Sequence, residues 1–170
     1  MAAHPRVADD RVTQAWRVLG GVLDPEVPAL SVVDLGIVRE VAEAPDGGLD
    51  IALTPTYSGC PATEAIEADI RSAIEAAGLG PVRIAYKLAP AWTSDWISDE
   101  GRRKLSAYGI APPGCRSDEG AAVRVMAHKV TCPRCASLHT ERLSAFGSTA
   151  CKSTHRCLDC REPFEYFKSI

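Results

Sequence analysis

Cys132-Pro133-Arg134-Cys135 and Cys157-Leu158-Asp159-Cys160 are two Cys-x-x-Cys units with 21 residues between them, and their reading decides the fold of the C-terminal part of the chain. A Cys-x-x-Cys turn points two thiolates to one side, and two such turns close a four-sulfur shell around one zinc ion. The segment between them carries Leu143, Phe146 and the turn Gly147-Ser148, enough for a short hairpin. Phe164, Tyr166 and Phe167 then supply a closing strand. A module of about 50 residues has too small a core to fold alone, so bound metal would supply much of its folding free energy. Four thiolates can also hold a single iron or an iron–sulfur cluster, and one Cys-x-x-Cys alone can be a redox dithiol. Paired knuckles around a hairpin favour structural zinc. A filled shell leaves no open coordination position, which favours structure and partner docking over catalysis.

Of the remaining thiols, Cys151 could compete as a ligand or be a free thiol beside the site, a small buried thiol being the favoured case, and Cys115 lies in a Pro/Gly segment. His128, His139 and His155 could replace a ligand only if a cysteine were lost, and His4 lies in the polar N-terminal stretch.

The 170 residues allow one compact domain of about 100 residues and one small module. Residues 1–121 hold 11 Lys/Arg against 18 Asp/Glu, while residues 122–170 hold 8 against 4, so the two parts carry opposite net charge. The basic tail could meet nucleic acid, an acidic protein or a phosphate-bearing cofactor, or it could simply balance metal-bound thiolates. A nucleic-acid role would need Arg134, Arg156 and Arg161 on one face, and the tail charge alone speaks for it. No apolar run reaches the roughly 18–20 residues of a membrane span, and Met1 to Asp10 is polar and unlike a signal peptide. The expected location is the reducing cytoplasm, where seven cysteines are read as metal ligands or reactive thiols rather than disulfides.

Upstream, the spacing of Val12, Ala15, Trp16, Val18 and Leu19 predicts a helix over 10–21, capped by Asp9 or Asp10 and ended by Gly20-Gly21. Strands are expected at 37–41 and 49–53, joined by the turn Ala44-Pro45-Asp46-Gly47-Gly48. A second helix is expected from Pro61 to Gly78, then a strand over 82–88. This order predicts an α+β fold, a small sheet with helices packed on one face, followed by the ribbon. Residues 93–108 read as a helical extension. The expected organisation is 1–110 for the first domain with its extension from about 90, 111–121 as linker, and 122–170 as ribbon.

Cys60 is the thiol of interest in the first domain. It follows Gly59 and precedes Pro61 at the expected helix start, where free N–H groups and the helix dipole favour a thiolate. It could bind metal, act as a nucleophile, or only pack. A cysteine hydrolase needs a histidine base, and no histidine lies between residues 5 and 127. Asp24, Glu26 and Asp34 could supply hard ligands near Cys60, or merely cap loops. Gly-rich phosphate loops and paired-His metal motifs are absent.

Asp24-Pro25-Glu26-Val27-Pro28, then Val32-Val33-Asp34-Leu35-Gly36-Ile37-Val38, then Leu53-Thr54-Pro55-Thr56-Tyr57-Ser58-Gly59-Cys60-Pro61 together resemble the SufT-like, MIP-type family of iron–sulfur assembly factors over about residues 10–90. Trp92-Thr93-Ser94-Asp95-Trp96-Ile97, Tyr108-Gly109-Ile110-Ala111-Pro112-Pro113, the two knuckles, Gly147 to Lys152 and Pro163 to Lys168 look like the D-subunit family (PaaD, also PaaJ) of phenylacetyl-CoA epoxidase systems. The resemblance implies a non-catalytic accessory subunit in aerobic phenylacetate breakdown that assists iron–sulfur or metal-centre assembly. Carried onto this sequence, it makes Cys60 the candidate iron–sulfur or reactive site, with Asp24, Glu26 and Thr56 around it. The implied cofactors are structural Zn2+ in the ribbon and transient iron or an iron–sulfur cluster at Cys60. The implied partners are the other epoxidase subunits, above all the iron–sulfur and flavin reductase, and the iron–sulfur assembly machinery. Neither a membrane nor nucleic acid is expected, and a homodimer is left open. The alternative is an integral electron-transfer or structural component of the oxygenase with a metal cluster in the ribbon.

Overall fold

The computed structural model describes residues 7–57, 62–114 and 130–170, with backbone alone for 7–10. The chain divides into two compact units, Met1–Trp92 with Trp96–Gly101, and Thr93–Asp95 with Arg102–Ile170.

The first unit runs α1 (Val7–Leu19), β1 (Val38–Glu43), β2 (Leu49–Leu53), α2 (Thr63–Ala76) and β3 (Val82–Tyr86). Strand β2 is central, antiparallel to β1 and parallel to β3, with Ile51 opposite both Val41 and Ile84. A parallel neighbour requires a crossover, and α2 supplies it. Leu49, Ile51 and Leu53 alternate onto one face and are buried, while α1 packs on β1, α2 on β3, and the two helices on each other. Ile66, Ile70 and Ile74 recur every fourth residue of α2 and are all buried, each burial stabilising by roughly 2 kcal/mol. The α2 C-terminus closes with Gly78 N–H on the Glu75 carbonyl and Leu79 N–H on the Ile74 carbonyl. Gly78 takes φ +72° there, a left-handed conformation that a side chain resists. This is the α+β sheet-and-helix arrangement expected from the sequence.

Between α1 and β1 the chain folds back on itself. Leu23 and Ser31 form an isolated antiparallel bridge, and the Val32 amide donates to the Val22 carbonyl. Ser31 and Asp34 cap each other: the Ser31 amide and hydroxyl donate to Asp34 Oδ2 at 3.0 and 2.8 Å, and the Asp34 amide donates to Ser31 Oγ at 3.0 Å.

The next segment is a 3-10 turn at Ser94–Trp96, then α3 (Asp99–Tyr108) and β4 (Ile110–Ala111). The ribbon strands are β5 (Thr140–Ser144), β6 (Lys152–Cys157) and β7 (Pro163–Phe167), in the sheet order β4-β7-β6-β5. The expected hairpin between knuckles is β5–β6, and the expected closing strand is β7.

Several boundaries differ from the sequence reading. Helix α1 begins at Val7 rather than residue 10. Strand β1 runs to Glu43, because pairing with Leu49 carries it to the turn. Strand β3 ends at Tyr86, the last residue paired to β2, and Leu88 is exposed. The helical extension expected over 93–108 consists of a short 3-10 turn and then α3, which starts where Ser98 Oγ accepts the Gly101 amide. The two compact units part within α3, and Ala111, the first residue of the segment expected as a linker, lies in β4, which pairs in parallel with β7. Cys115 and His128 lie outside the described residues.

Candidate metal centre

The sulfur atoms of Cys132, Cys135, Cys157 and Cys160 all lie within 4.8 Å of one another. Cys132 Sγ stands 3.8 Å from Cys160 Sγ, and Cys135 Sγ 3.5 Å from Cys157 Sγ. A disulfide would need about 2.05 Å, and all four thiols are free. Four thiolates at about 2.3 Å from a tetrahedral zinc ion stand about 3.8 Å apart, so the donor set and its spacing fit that ion.

Each cysteine pair sits on a knuckle built the same way. In the first, the Cys132 amide donates to the Ser137 carbonyl at 2.9 Å; in the second, the Cys157 amide donates to the Glu162 carbonyl at 3.0 Å. The residue after each second cysteine turns left-handed, Ala136 at φ 60° and Arg161 at φ 66°. That reversal aims the following amide back at sulfur: Ser137 N–H at Cys135 and Glu162 N–H at Cys160. Behind the sulfurs, Ala111, Val130, Cys132, Cys157 and Phe164 form a small buried cluster. Cys135 is the exposed member of the four.

The environment favours one thiolate before any metal arrives. The Cys160 amide, assisted by that of Asp159, draws the Cys157 thiol down to about 6. At Cys135 the Ser137 amide is the largest single influence and acts in the same direction, but the Cys157 sulfur, burial and the sulfurs of Cys160 and Cys132 together outweigh it and push the thiol up to about 12. Like charges at this spacing oppose a second and third thiolate, and a divalent cation removes that opposition.

The side chains of Ser137, His139 and Asp159 bridge the knuckles, and the sequence reading did not single them out for this. Ser137 Oγ donates to Asp159 Oδ2, and His139 Nδ1 lies 3.2 Å from Asp159 Oδ1. These contacts, Ser137 first, hold the Asp159 carboxyl below its ordinary range. The only sequence signal is a polar residue at the third position of the second knuckle and another two residues past the first. His139, considered above as a substitute ligand, is thus occupied with a carboxylate. His155 is buried against Phe164 and Tyr166, with Nε2 3.0 Å from Ser153 Oγ, and burial lowers its basicity. Cys151 is buried with its sulfur 3.0 Å from Thr149 Oγ1, outside the four-sulfur group.

The acidic loop is folded around Asp24. This residue is buried, and its Oδ1 accepts the amides of Glu26 at 2.8 Å and Val27 at 2.7 Å. Asp34 is likewise buried, held by Ser31 and by Ser98 Oγ at 3.3 Å. Glu26 is half-buried on that loop, and Thr56 is half-buried in the bend after β2. Cys60, Gly59 and Pro61 lie outside the described residues. Helix α2 begins at Thr63, with Ala62 as its cap residue. Glu64 in the first turn suits that start, since a carboxylate there complements the helix dipole.

Comparison with known proteins covers both units. A family model described as "PaaD zinc beta ribbon domain" matches residues 116–168, and one described as "Iron-sulfur cluster assembly protein" matches residues 13–84. A protein of Escherichia coli (strain K12), named as the D subunit of a "Putative 1,2-phenylacetyl-CoA epoxidase", is 47% identical over 164 residues, 96% of each chain. A "Fe-S protein maturation auxiliary factor" of Porphyromonas gingivalis is 36% identical over 90 residues, covering 52% of this chain and 85% of the relative. A crystal structure of a domain of unknown function, DUF59, from Bacillus anthracis aligns with a TM-score of 0.55 at 21% identity. It covers 60% of this chain and 97% of that one, and speaks to the fold. Among the described residues no helix is long and apolar enough to cross a membrane.

Proposed function

This chain belongs to the family of the 1,2-phenylacetyl-CoA epoxidase D subunit, and from that premise we propose that it is a non-catalytic accessory subunit that assists iron–sulfur or metal-centre assembly for the epoxidase. The observation that carries the reading is the closed group of four cysteine sulfurs within 4.8 Å. A metal held by all four has no position left for a substrate or water, so the ribbon serves structure and docking. Cys132, Cys135, Cys157 and Cys160 are its ligands, and zinc is the ion their spacing suits. The thiolates supply the charge the ion requires, and the amides of Ser137, Cys160 and Glu162 steady that charge.

Assembly belongs to the first unit. Its similarity to an iron–sulfur maturation factor supports this, as does the iron–sulfur assembly family model, whose matched residues include Cys60. Cys60 takes iron or a cluster transiently, with Asp24, Glu26 and Thr56 as the further candidate residues of that site. With Asp24 Oδ1 bound to two backbone amides, its part is to hold the loop in shape. The clients are epoxidase subunits carrying metal centres, with the iron–sulfur and flavin reductase foremost, and the setting is the cytoplasm.

The test is co-expression of wild type or Cys60→Ala with the epoxidase subunits, followed by anaerobic purification and metal analysis. The expected result is a folded variant with one zinc per chain, a reductase short of its cluster, and lowered epoxidase activity. Full cluster content with Cys60→Ala would overturn the assembly role. A strongly coloured ribbon containing iron instead of zinc would overturn the structural role of the second unit.

A further inference from the structure

We infer that Ser137 and Asp159 form a side-chain clamp that holds the two knuckles together and sets how long the ribbon retains its metal. The inference rests on the reading above that the ribbon binds zinc. Its basis is where the two residues stand: Ser137 follows Cys135 by two positions, and Asp159 lies between Cys157 and Cys160. The sulfurs of Cys135 and Cys157, one from each knuckle, are 3.5 Å apart. The Ser137 hydroxyl donates to Asp159 Oδ2, so the segments that carry these two sulfurs are tied to each other across the site.

His139 braces the tie. Its amide donates to Ser137 Oγ at 2.9 Å, its Nδ1 lies 3.2 Å from Asp159 Oδ1, and its carbonyl accepts the Leu158 amide at 2.8 Å. Each of these bonds joins neighbours within one knuckle or reaches from the first knuckle segment to the second. The clamp also sits where it matters for release. Cys132 and Cys157 are buried in the small apolar cluster, whereas Cys135 is exposed. A metal leaves when one thiolate detaches and an outside ligand takes its place, and the exposed thiolate is the one such a ligand reaches. A bond that fixes the Cys135 side of the shell to the opposite knuckle opposes that first step. Partners outside the ligand shell commonly change metal affinity by about 10–100-fold. Ser137 and Asp159 are therefore positioning residues.

The experiment uses the full chain loaded with zinc and follows transfer of zinc to an excess of a colorimetric chelator. Ser137→Ala and Asp159→Ala should each release zinc about 10-fold faster than wild type. The double variant should release it no faster than the faster single variant, since either change breaks the same tie. Asp159→Asn keeps an acceptor oxygen for the serine hydroxyl and should fall between wild type and Asp159→Ala. All variants should start with one zinc per chain and a wild-type circular dichroism spectrum, which separates clamping from general stability. Release rates within two-fold of wild type, or rate effects that multiply in the double variant, would overturn the clamp while leaving the zinc site standing. A wild type that takes up no zinc would overturn the zinc reading and the clamp with it.

Discussion

Gly36 lies directly against Trp96: at φ +69°, a Cβ built at position 36 would stand 2.6 Å from the Trp96 carbonyl oxygen and 2.8 Å from its Cβ. The contact fixes the segment after α1 to the segment after β3. The same junction holds the Arg39 guanidinium 3.6 Å from the centre of the Trp96 ring, and the Trp92 indole N–H donates to the Leu35 carbonyl at 2.9 Å. Gly36→Ala adds left-handed strain of roughly 1–2 kcal/mol and overpacking of roughly 1–3 kcal/mol. Urea unfolding should therefore show a loss of about 2–5 kcal/mol. A variant as stable as wild type would mean that the Trp96 backbone moves aside freely.

Asp24 makes a second prediction, because it separates a structural carboxylate from a ligand. Its buried Oδ1 accepts two backbone amides, and bonds to a charged acceptor are worth about 1.5–3 kcal/mol each. Asp24→Ala should lower unfolding stability by about 2 kcal/mol or more. Asp24→Asn retains an acceptor oxygen and should lose less. Equal losses in the two variants, read by urea denaturation, would count against the capping role.

How much of this was legible in the chain differs between the two units. The ribbon hairpin, its closing strand and the meeting of four sulfurs follow from Cys-x-x-Cys spacing, because tetrahedral thiolate geometry admits few arrangements. The α2 face was equally readable, since Ile66, Ile70 and Ile74 recur at one helical period. Strand β4 was not, because Ile110-Ala111 gains its identity only by pairing with Glu165 and Tyr166, more than fifty positions away. The start of α3 was hidden for a local reason: Ser98 captures the Gly101 amide and interrupts a run whose apolar spacing looks continuous. The Ser137–Asp159 tie escaped because a serine and an aspartate carry no periodic signal and meet only when both knuckles are folded.

The Glu67–Tyr86 pair predicts a stability contribution that weakens at both ends of the pH scale. Glu67 Oε2 accepts the Tyr86 hydroxyl at 2.7 Å, and Oε1 accepts Arg71 Nη2 at 2.7 Å. The tyrosine first and the guanidinium second hold the Glu67 carboxyl below its usual value of 4.5. A depressed carboxylate stabilises above its unfolded value, and that gain disappears as pH falls through the folded one. Burial, aided by the Glu67 carboxylate, pushes the Tyr86 phenol up to about 12. A raised phenol stabilises below its unfolded value of about 10, and that gain disappears as pH rises through the folded one. Both groups are partly exposed, so the contribution is at most about 1 kcal/mol. The difference in urea midpoint between wild type and Tyr86→Phe should be largest near neutrality, shrink as pH falls from the ordinary carboxylate value of 4.5 through the lowered one of Glu67, and shrink as pH rises from 10.0 toward about 12. A difference independent of pH would remove the pair as its source.

Cys151 and Cys157 provide the contrast that tests which thiols hold the metal. Both are buried, both bracket β6, and composition alone treats them alike. Cys157 Sγ lies 3.5 Å from Cys135 Sγ and receives the Cys160 amide, whereas Cys151 Sγ contacts the Thr149 hydroxyl and lies outside the four-sulfur group. Cys157→Ser replaces a soft thiolate with a hydroxyl that does not ionise near neutral pH, which removes one ligand and leaves three thiolates around an incomplete shell. Because metal binding and ribbon folding are one equilibrium, that variant should lose stoichiometric zinc during gel filtration with a chelator and lose ribbon circular dichroism with it. Cys151→Ser conserves size and can still bond to Thr149, so it should retain one zinc per chain and lose only the small transfer energy of a buried sulfur. Zinc kept by Cys157→Ser, or lost by Cys151→Ser, would mean that a different set of sulfurs closes on the ion.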